Sequence, residues 1–226
     1  MKGILTGATG FIGGEILNQC LDHPRITSLV VLSRRPLPEP AASNSKVKVI
    51  IIQDFGNYPD SALEELKDAD FCIWAIGTYN GGEDVEADLP LALCKAIAKA
   101  RNGATTKLFR MVLLSGMFVV HDQNASLWFK PTTRKAKGVG EMRLLAFADE
   151  QNKNDGNWES YVGRPGLVLP KYIVGIHTGT IGNRLIIGVG VLAAGMIETA
   201  LEGNPEYMVY HSALLEKGRE AIRKAK

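Results

Sequence analysis

Apolar and polar positions along the chain follow two alternating periods. Short runs that are apolar on both faces recur at Gly3–Thr6, Ser28–Ser33, Val47–Gln53, Phe71–Ile76 and Leu108–Leu114. Such runs are expected of strands buried on both sides. Between them the spacing switches to that of helices. Ile16, Leu17 and Cys20 mark a helix over Gly13–Leu21, and Leu63 and Leu66 a short one over Ser61–Lys67 with Ser61 as its N-cap. From Asp88 onward, Leu89, Leu93, Ala96, Ile97 and Ala100 form one face and Lys95, Lys99 and Arg101 the other. Lys135–Glu150 is a further helix. Glu159–Leu169 reads as a sixth strand interrupted by Arg164-Pro165-Gly166, and Leu192–Leu201 and Ser212–Lys224 as two closing helices. Three prolines make Arg34–Ser45 a loop. The glycine-rich stretch Gly175–Gly190 fits neither period.

Strand and helix in alternation, with strands of the fully buried kind, predict a parallel sheet covered on both faces and right-handed crossovers. The expected architecture is α/β: one doubly wound, Rossmann-type domain over residues 1–226, with a small C-terminal segment on the substrate side. No repeat or linker divides the chain.

Composition narrows the class. Of 226 residues, 46% are hydrophobic and 22% charged, and 26 basic side chains nearly balance 24 acidic ones. That balance excludes the concentrated basic face of a nucleic-acid binder. The uncharged run Leu185–Ile197 is shorter than the roughly 18 residues a membrane span needs, so no membrane insertion is expected. Cys20, Cys72 and Cys94 are odd in number, lack a CxxC spacing and sit in apolar segments. They imply a reducing compartment. With no secretory-type leader in the first residues, a cytoplasmic protein is expected. The four histidines lack metal-ligand spacing, so no metal site is expected.

The chemistry-bearing signal is Thr6-Gly7-Ala8-Thr9-Gly10-Phe11-Ile12-Gly13, which follows a strand and opens a helix. Gly7 allows a tight turn, Gly10 lets backbone approach a pyrophosphate, and Gly13 lets the helix pack closely on the sheet. The helix N-terminus adds free N–H groups and a positive partial charge. At the end of the second strand NAD-binding proteins usually carry a carboxylate for the ribose hydroxyl. Here Ser33-Arg34-Arg35 stands instead, and two guanidiniums suit a 2′-phosphate, which favours NADP. The alternative is a pair of solvated loop charges. Asp54, after the third strand, is either an acceptor for the adenine amino group or a turn residue. Ala75-Ile76-Gly77, after the fourth, are small enough for the adenosine ribose to lie close.

With these motifs the sequence resembles the atypical short-chain dehydrogenases/reductases, of the NmrA-like and Tat-interacting-protein-like kind. The resemblance extends over nearly the whole chain. Beyond the glycine loop it rests on Asp70–Gly77, on Leu113-Leu114-Ser115-Gly116, on Lys137-Gly138 with Glu141, and on Arg164-Pro165-Gly166. It implies that Ser115 orients a substrate carbonyl, that Lys137 holds the nicotinamide ribose, and that Pro165 shapes the turn closing over the nicotinamide. It also implies a tyrosine four residues before the lysine, and that position is Thr133. A tyrosine phenol can be tuned towards neutrality by a nearby cation, whereas an aliphatic hydroxyl is too weak an acid.

Three outcomes remain open from the sequence. Another group donates the proton (Tyr79, His121 or Tyr161), with hydride passing to a small apolar carbonyl or alkene. The cofactor is a scaffold for a cyclisation or isomerisation. Or the protein is a nucleotide sensor without turnover. Met117–Trp128 and Tyr172–Gly190 are expected to line the substrate pocket. Pairing of the Asp88 and Lys135 helices into a homodimer and a monomer are equally open.

Overall fold

The computed structural model describes residues 1–78, 80–154, 156–170 and 182–225, with only the backbone at 154, 182 and 183. Seven parallel strands form one sheet: β1 Lys2–Thr6, β2 Ser28–Ser33, β3 Val47–Ile51, β4 Phe71–Trp74, β5 Phe109–Leu114, β6 Trp158–Arg164 and, at the far edge, Met208–Tyr210. Two further three-residue strands, β7 Leu167–Leu169 and β8 Ile186–Gly188, pair in parallel outside it, so the edge strand is β9. The spatial order is β3-β2-β1-β4-β5-β6-β9. The order therefore reverses between β1 and β4, where Thr6 lies between Leu32 and Trp74 in register. In open parallel sheets, ligands bind at the carboxyl ends of the strands beside such a reversal.

Helices cover both faces. On one lie α1 Phe11–Asp22, α6 Val189–Glu202 and α7 His211–Lys224, packed over a core that includes Leu5, Ile73, Val112, Leu192 and Met196. On the other lie α2 Asp60–Leu66, α3 Leu89–Arg101 and α4 Pro131–Asn154, over a core with Trp74, Phe109, Leu93 and Leu144. A four-residue helix, α5 Gly182–Leu185, leads into β8.

Several expectations change in detail. The helix read from Ser61 begins at Asp60 behind Pro59, and no side chain caps it. The long helix read from Lys135 starts earlier, at Pro131, because proline suits the first turn, where its missing N–H is not needed. The sixth strand ends at Arg164, and the residues after Pro165 join a different sheet. Leu89–Arg101 is preceded by a single wide turn over Asp84–Asp88, which carries a buried glutamate, Glu86, into the interior.

Candidate functional site

The glycine loop bridges the ends of β1 and β4. Gly7 has φ +74°, and a Cβ there would reach within 2.6 Å of the Ala75 carbonyl carbon. Gly13 lies so close to the Gly7 backbone that a Cβ would overlap the carbonyl oxygen and stand 2.6 Å from its carbon. Gly10 donates its N–H to Gly7 O at 2.9 Å and is the N-cap of α1. No side chain caps this helix, and its first turn carries no acid. The N–H groups of Phe11, Ile12 and Gly13 therefore have no capping side chain to accept them, an arrangement that can hold phosphate oxygens.

A cavity of about 280 Å³ opens beside this loop. Gly7, Thr9, Ser33, Arg34, Arg35, Asp54 and Ile76 contribute to its wall, so the ends of β1, β2, β3 and β4 converge on it. Ser33 is buried and accepts the Arg35 N–H at 3.3 Å, which shapes the turn that leaves β2. Both guanidiniums are exposed, and neither has an ion-pair partner among the described residues. Asp54 Oδ1 accepts the Gly56 N–H at 2.8 Å, so this carboxylate shapes the turn after β3 while lining the cavity. Leu32, Phe55, Val85 and Leu89 supply apolar wall that the motif spacing did not signal.

The second half of the site lies past Gly77. Lys137 Nζ is 2.6 Å from Glu86 Oε2, and a Cβ on Gly77 would stand 3.2 Å from the same nitrogen. Lys137 thus comes from α4 to Gly77, beside the rim of this cavity. Glu86, 3% exposed in its side chain, also accepts the Thr78 N–H at 2.9 Å. The approach of α4 depends on Gly140, where a Cβ would lie 3.1 Å from the Glu86 carbonyl carbon.

Ser115 follows β5. Its N–H donates to Gly163 O, and that of Met117 to Pro165 O, both at 2.8 Å, so the ends of β5 and β6 run together. The Ser115 hydroxyl donates to Glu141, which is 0% exposed. Glu141 also receives Arg164 Nε at 3.0 Å and Arg164 Nη2, and its Oε2 lies 2.7 Å from His121 Nε2. A wholly buried carboxylate needs such partners, since desolvation without them is prohibitive. Ser115, His121 and Arg164 are therefore linked through one carboxylate, and His121 keeps 41% of its side chain in solvent.

The three donor candidates separate. Tyr161 points to the opposite end of the sheet: its hydroxyl donates to Glu159 at 3.0 Å, near the start of β6, and burial pushes the phenol up. Tyr79 lies outside the described residues. Thr133, one turn before Lys137, is buried. Of the stretch expected to line the substrate pocket, residues 172–181 lie outside the described residues.

A larger hollow of about 1070 Å³ between Ala98–Thr106 and Trp158 is at the amino ends of β5 and β6, away from all of these groups.

The fold is that of the short-chain dehydrogenases/reductases. A short-chain dehydrogenase from Burkholderia cenocepacia, solved with NADP, superimposes with a TM-score of 0.70 at 15% identity, covering 99% of this chain and 94% of that one. Gre2 of Candida albicans, in complex with NADPH, gives 0.64 at 13% identity over 93% and 78%. Identities this low show the fold alone.

No family model matches the sequence. Leucinostatins biosynthesis cluster protein T of Purpureocillium lilacinum is 40% identical over 101 residues, 42% of this chain and 37% of that protein. Protein fmp52-1, mitochondrial, of Aspergillus oryzae is 26% identical over 167 residues, 73% of this chain and 64% of that protein. The matched segment thus spans less than two thirds of either relative. Similar proteins from Aspergillus fumigatus and Meyerozyma guilliermondii are also named mitochondrial. These names run against the expectation of a cytoplasmic protein. Reduced, buried cysteines separate a reducing compartment from an oxidising one and do not tell the cytosol from the interior of an organelle. No helix among the described residues is long and apolar enough to cross a membrane.

Proposed function

We propose that this chain is an NADP(H)-dependent oxidoreductase acting on a small carbonyl or alkene with an apolar body, and that residues 1–226 work as one domain. The observation that carries the reading is the convergence of the glycine loop, Arg34, Arg35, Asp54 and Ile76 on one cavity at the strand-order reversal. The backbone N–H groups of Ala8, Thr9, Phe11, Ile12 and Gly13 would hold the diphosphate, with Gly10 letting it approach, and Arg34 and Arg35 the 2′-phosphate. Asp54, Ala75, Ile76 and Gly77 would border the adenosine, and Lys137 the second ribose. When bound, the cofactor supplies or accepts the hydride.

Ser115 orients the substrate oxygen. His121 is the group suited to hold the exchanged proton, because it is solvent-accessible and shares Glu141 with Ser115. Pro165 fixes the neighbouring turn through its carbonyl, which accepts the Met117 N–H.

Thr133 and the Ser115 hydroxyl, already donated into Glu141, favour a second reading: an NADP-binding sensor, or a cyclase or isomerase, that does not turn the cofactor over. One titration series separates the cases. NADPH should bind more tightly than NADH, and Arg34→Ala with Arg35→Ala should cost NADPH about 10–100-fold and NADH little. Failure of both coenzymes to bind the folded protein refutes both readings. Binding without oxidation of NADPH against a carbonyl panel leaves the second. Oxidation that vanishes in Ser115→Ala supports the first.

A further inference from the structure

A second cavity at the carboxyl ends of the strands, about 780 Å³, opens between β6, β9, α5 and α7. Four guanidiniums line it: Arg164, Arg184, Arg219 and Arg223. Against them stand Glu216 and Glu220, and Glu220 is engaged by Lys224 at 2.9 Å. Among the described residues, neither Arg184 nor Arg223 makes an ion pair within 4.0 Å, although Arg223, after Lys224, helps hold the Glu220 carboxyl below its usual range. Met117 and Leu215 add apolar wall.

The surround is fixed rather than draped. Arg164 and Tyr210 are register partners at the ends of β6 and β9. The Gly166 N–H donates to His211 Nδ1 at 3.0 Å, and a Cβ on Gly166 would stand 2.9 Å from the Leu185 carbonyl carbon, so α5 is held against this turn. On the other wall a Cβ on Gly218 would lie 2.9 Å from the Val191 carbonyl carbon, so α7 is packed tightly on α6. Residues 216, 219, 220 and 223 share one helical face. Guanidiniums gathered about one concavity repel one another, and an anion with paired oxygens that accept their forked N–H groups relieves that repulsion. Arg164 joins this cavity to the reacting groups, since it also donates to Glu141, the acceptor of the Ser115 hydroxyl.

We propose that this arginine-lined basin binds the acidic end of the substrate, a carboxylate or phosphate ester whose apolar body leads towards Ser115. The inference rests on the reductase reading for its link to catalysis, and its own test is an equilibrium one. Octanoate, octyl phosphate and 1-octanol are titrated calorimetrically into the NADPH-loaded protein. At least one anion should bind about tenfold or more tightly than the alcohol, and that preference should weaken as salt rises from about 0.05 to about 0.5 M. The two anions distinguish a carboxylate from a phosphate. In the double variant Arg184→Gln, Arg223→Gln the preference should disappear while NADPH affinity is unchanged. Octanol binding as tightly as both anions, or a preference that survives the double variant, overturns the proposal. If NADPH itself does not bind, the same titration on the free protein still decides the basin, and only the reductase reading falls.

Discussion

Alanine at Gly13 and alanine at Gly14 are the same chemical change in adjacent residues of α1, and they should act in opposite directions. In a helix interior the change stabilises by roughly 0.5–1 kcal/mol, because glycine loses more backbone entropy on folding. At Gly14 the new methyl would meet Ala8 O at 3.3 Å, close to the 3.4 Å at which ordinary contact begins, so the propensity gain should survive. At Gly13 it would stand 2.6 Å from the Gly7 carbonyl carbon, 0.8 Å inside that limit, and nearer still to the oxygen. Both are backbone atoms of the loop that joins β1 to α1, so relief requires the helix to withdraw from the loop. Overpacking costs about 1–3 kcal/mol, and an overlap with backbone atoms belongs at the upper end, about 2–3 kcal/mol, which leaves Gly13→Ala about 1–2.5 kcal/mol less stable after the helical gain. For a domain of this size that is a fall in Tm of about 2–10 °C, against a rise of up to about 4 °C for Gly14→Ala. Differential scanning calorimetry of the two variants gives the comparison, and NADPH titration adds a second readout, since only the Gly13 variant displaces the N–H groups of the first turn. Equal Tm changes, or undiminished NADPH affinity in Gly13→Ala, would refute the close approach as the reason for that glycine.

Two further outcomes concern buried groups. Lys137→Met leaves Glu86 buried without its cation and should cost about 2–4 kcal/mol, the lysine being partly exposed; adding Glu86→Gln, which keeps an acceptor for Thr78 N–H, should recover part of it in chemical denaturation. A double variant no more stable than Lys137→Met would count against the pair. Burial pushes the Cys20 thiol up to about 12 and raises Cys72 and Cys94 as well, so none should react with a thiol reagent at pH 8 until the chain is unfolded. The thiols keep their protons in the folded state above the pH at which the unfolded chain releases them. Stability should therefore hold below about pH 8.5 and fall above it, by up to about 1.4 kcal/mol per pH unit for each thiol. Rapid labelling of the native protein would contradict this.

The fold was largely legible because its signals are local. β1 to β5 are apolar runs, and the loop from Gly7 to Gly13 fixes the passage from β1 into α1. β9 was not, since Met208–Tyr210 is too short to display a period and becomes a strand only beside β6. The candidate nucleotide residues were legible because each comes just after a strand, and parallel strands bring such positions together. The buried carboxylates were harder. Glu86 sits in an acidic stretch that reads as solvated, and the interior position comes from the wide turn before α3 and the contact with Gly140. Glu141 could be placed one turn beyond Lys137, but its ties to His121 and Arg164 join segments far apart in sequence. The same distance hid the arginine basin, whose four guanidiniums come from three separate stretches.

The core that α1, α6 and α7 share with the sheet has a consequence for synthesis. Leu5, Ile16 and Val31 belong to one apolar cluster with Leu192, Met196, Ile197 and Leu214. The ribosome delivers the amino-terminal half first, so the part of this side that α1 does not cover stays open until the last helices emerge. During that interval the greasy side is a natural substrate for a holding chaperone. A break in the chain before α6 would leave the amino-terminal half without the helices that complete this core.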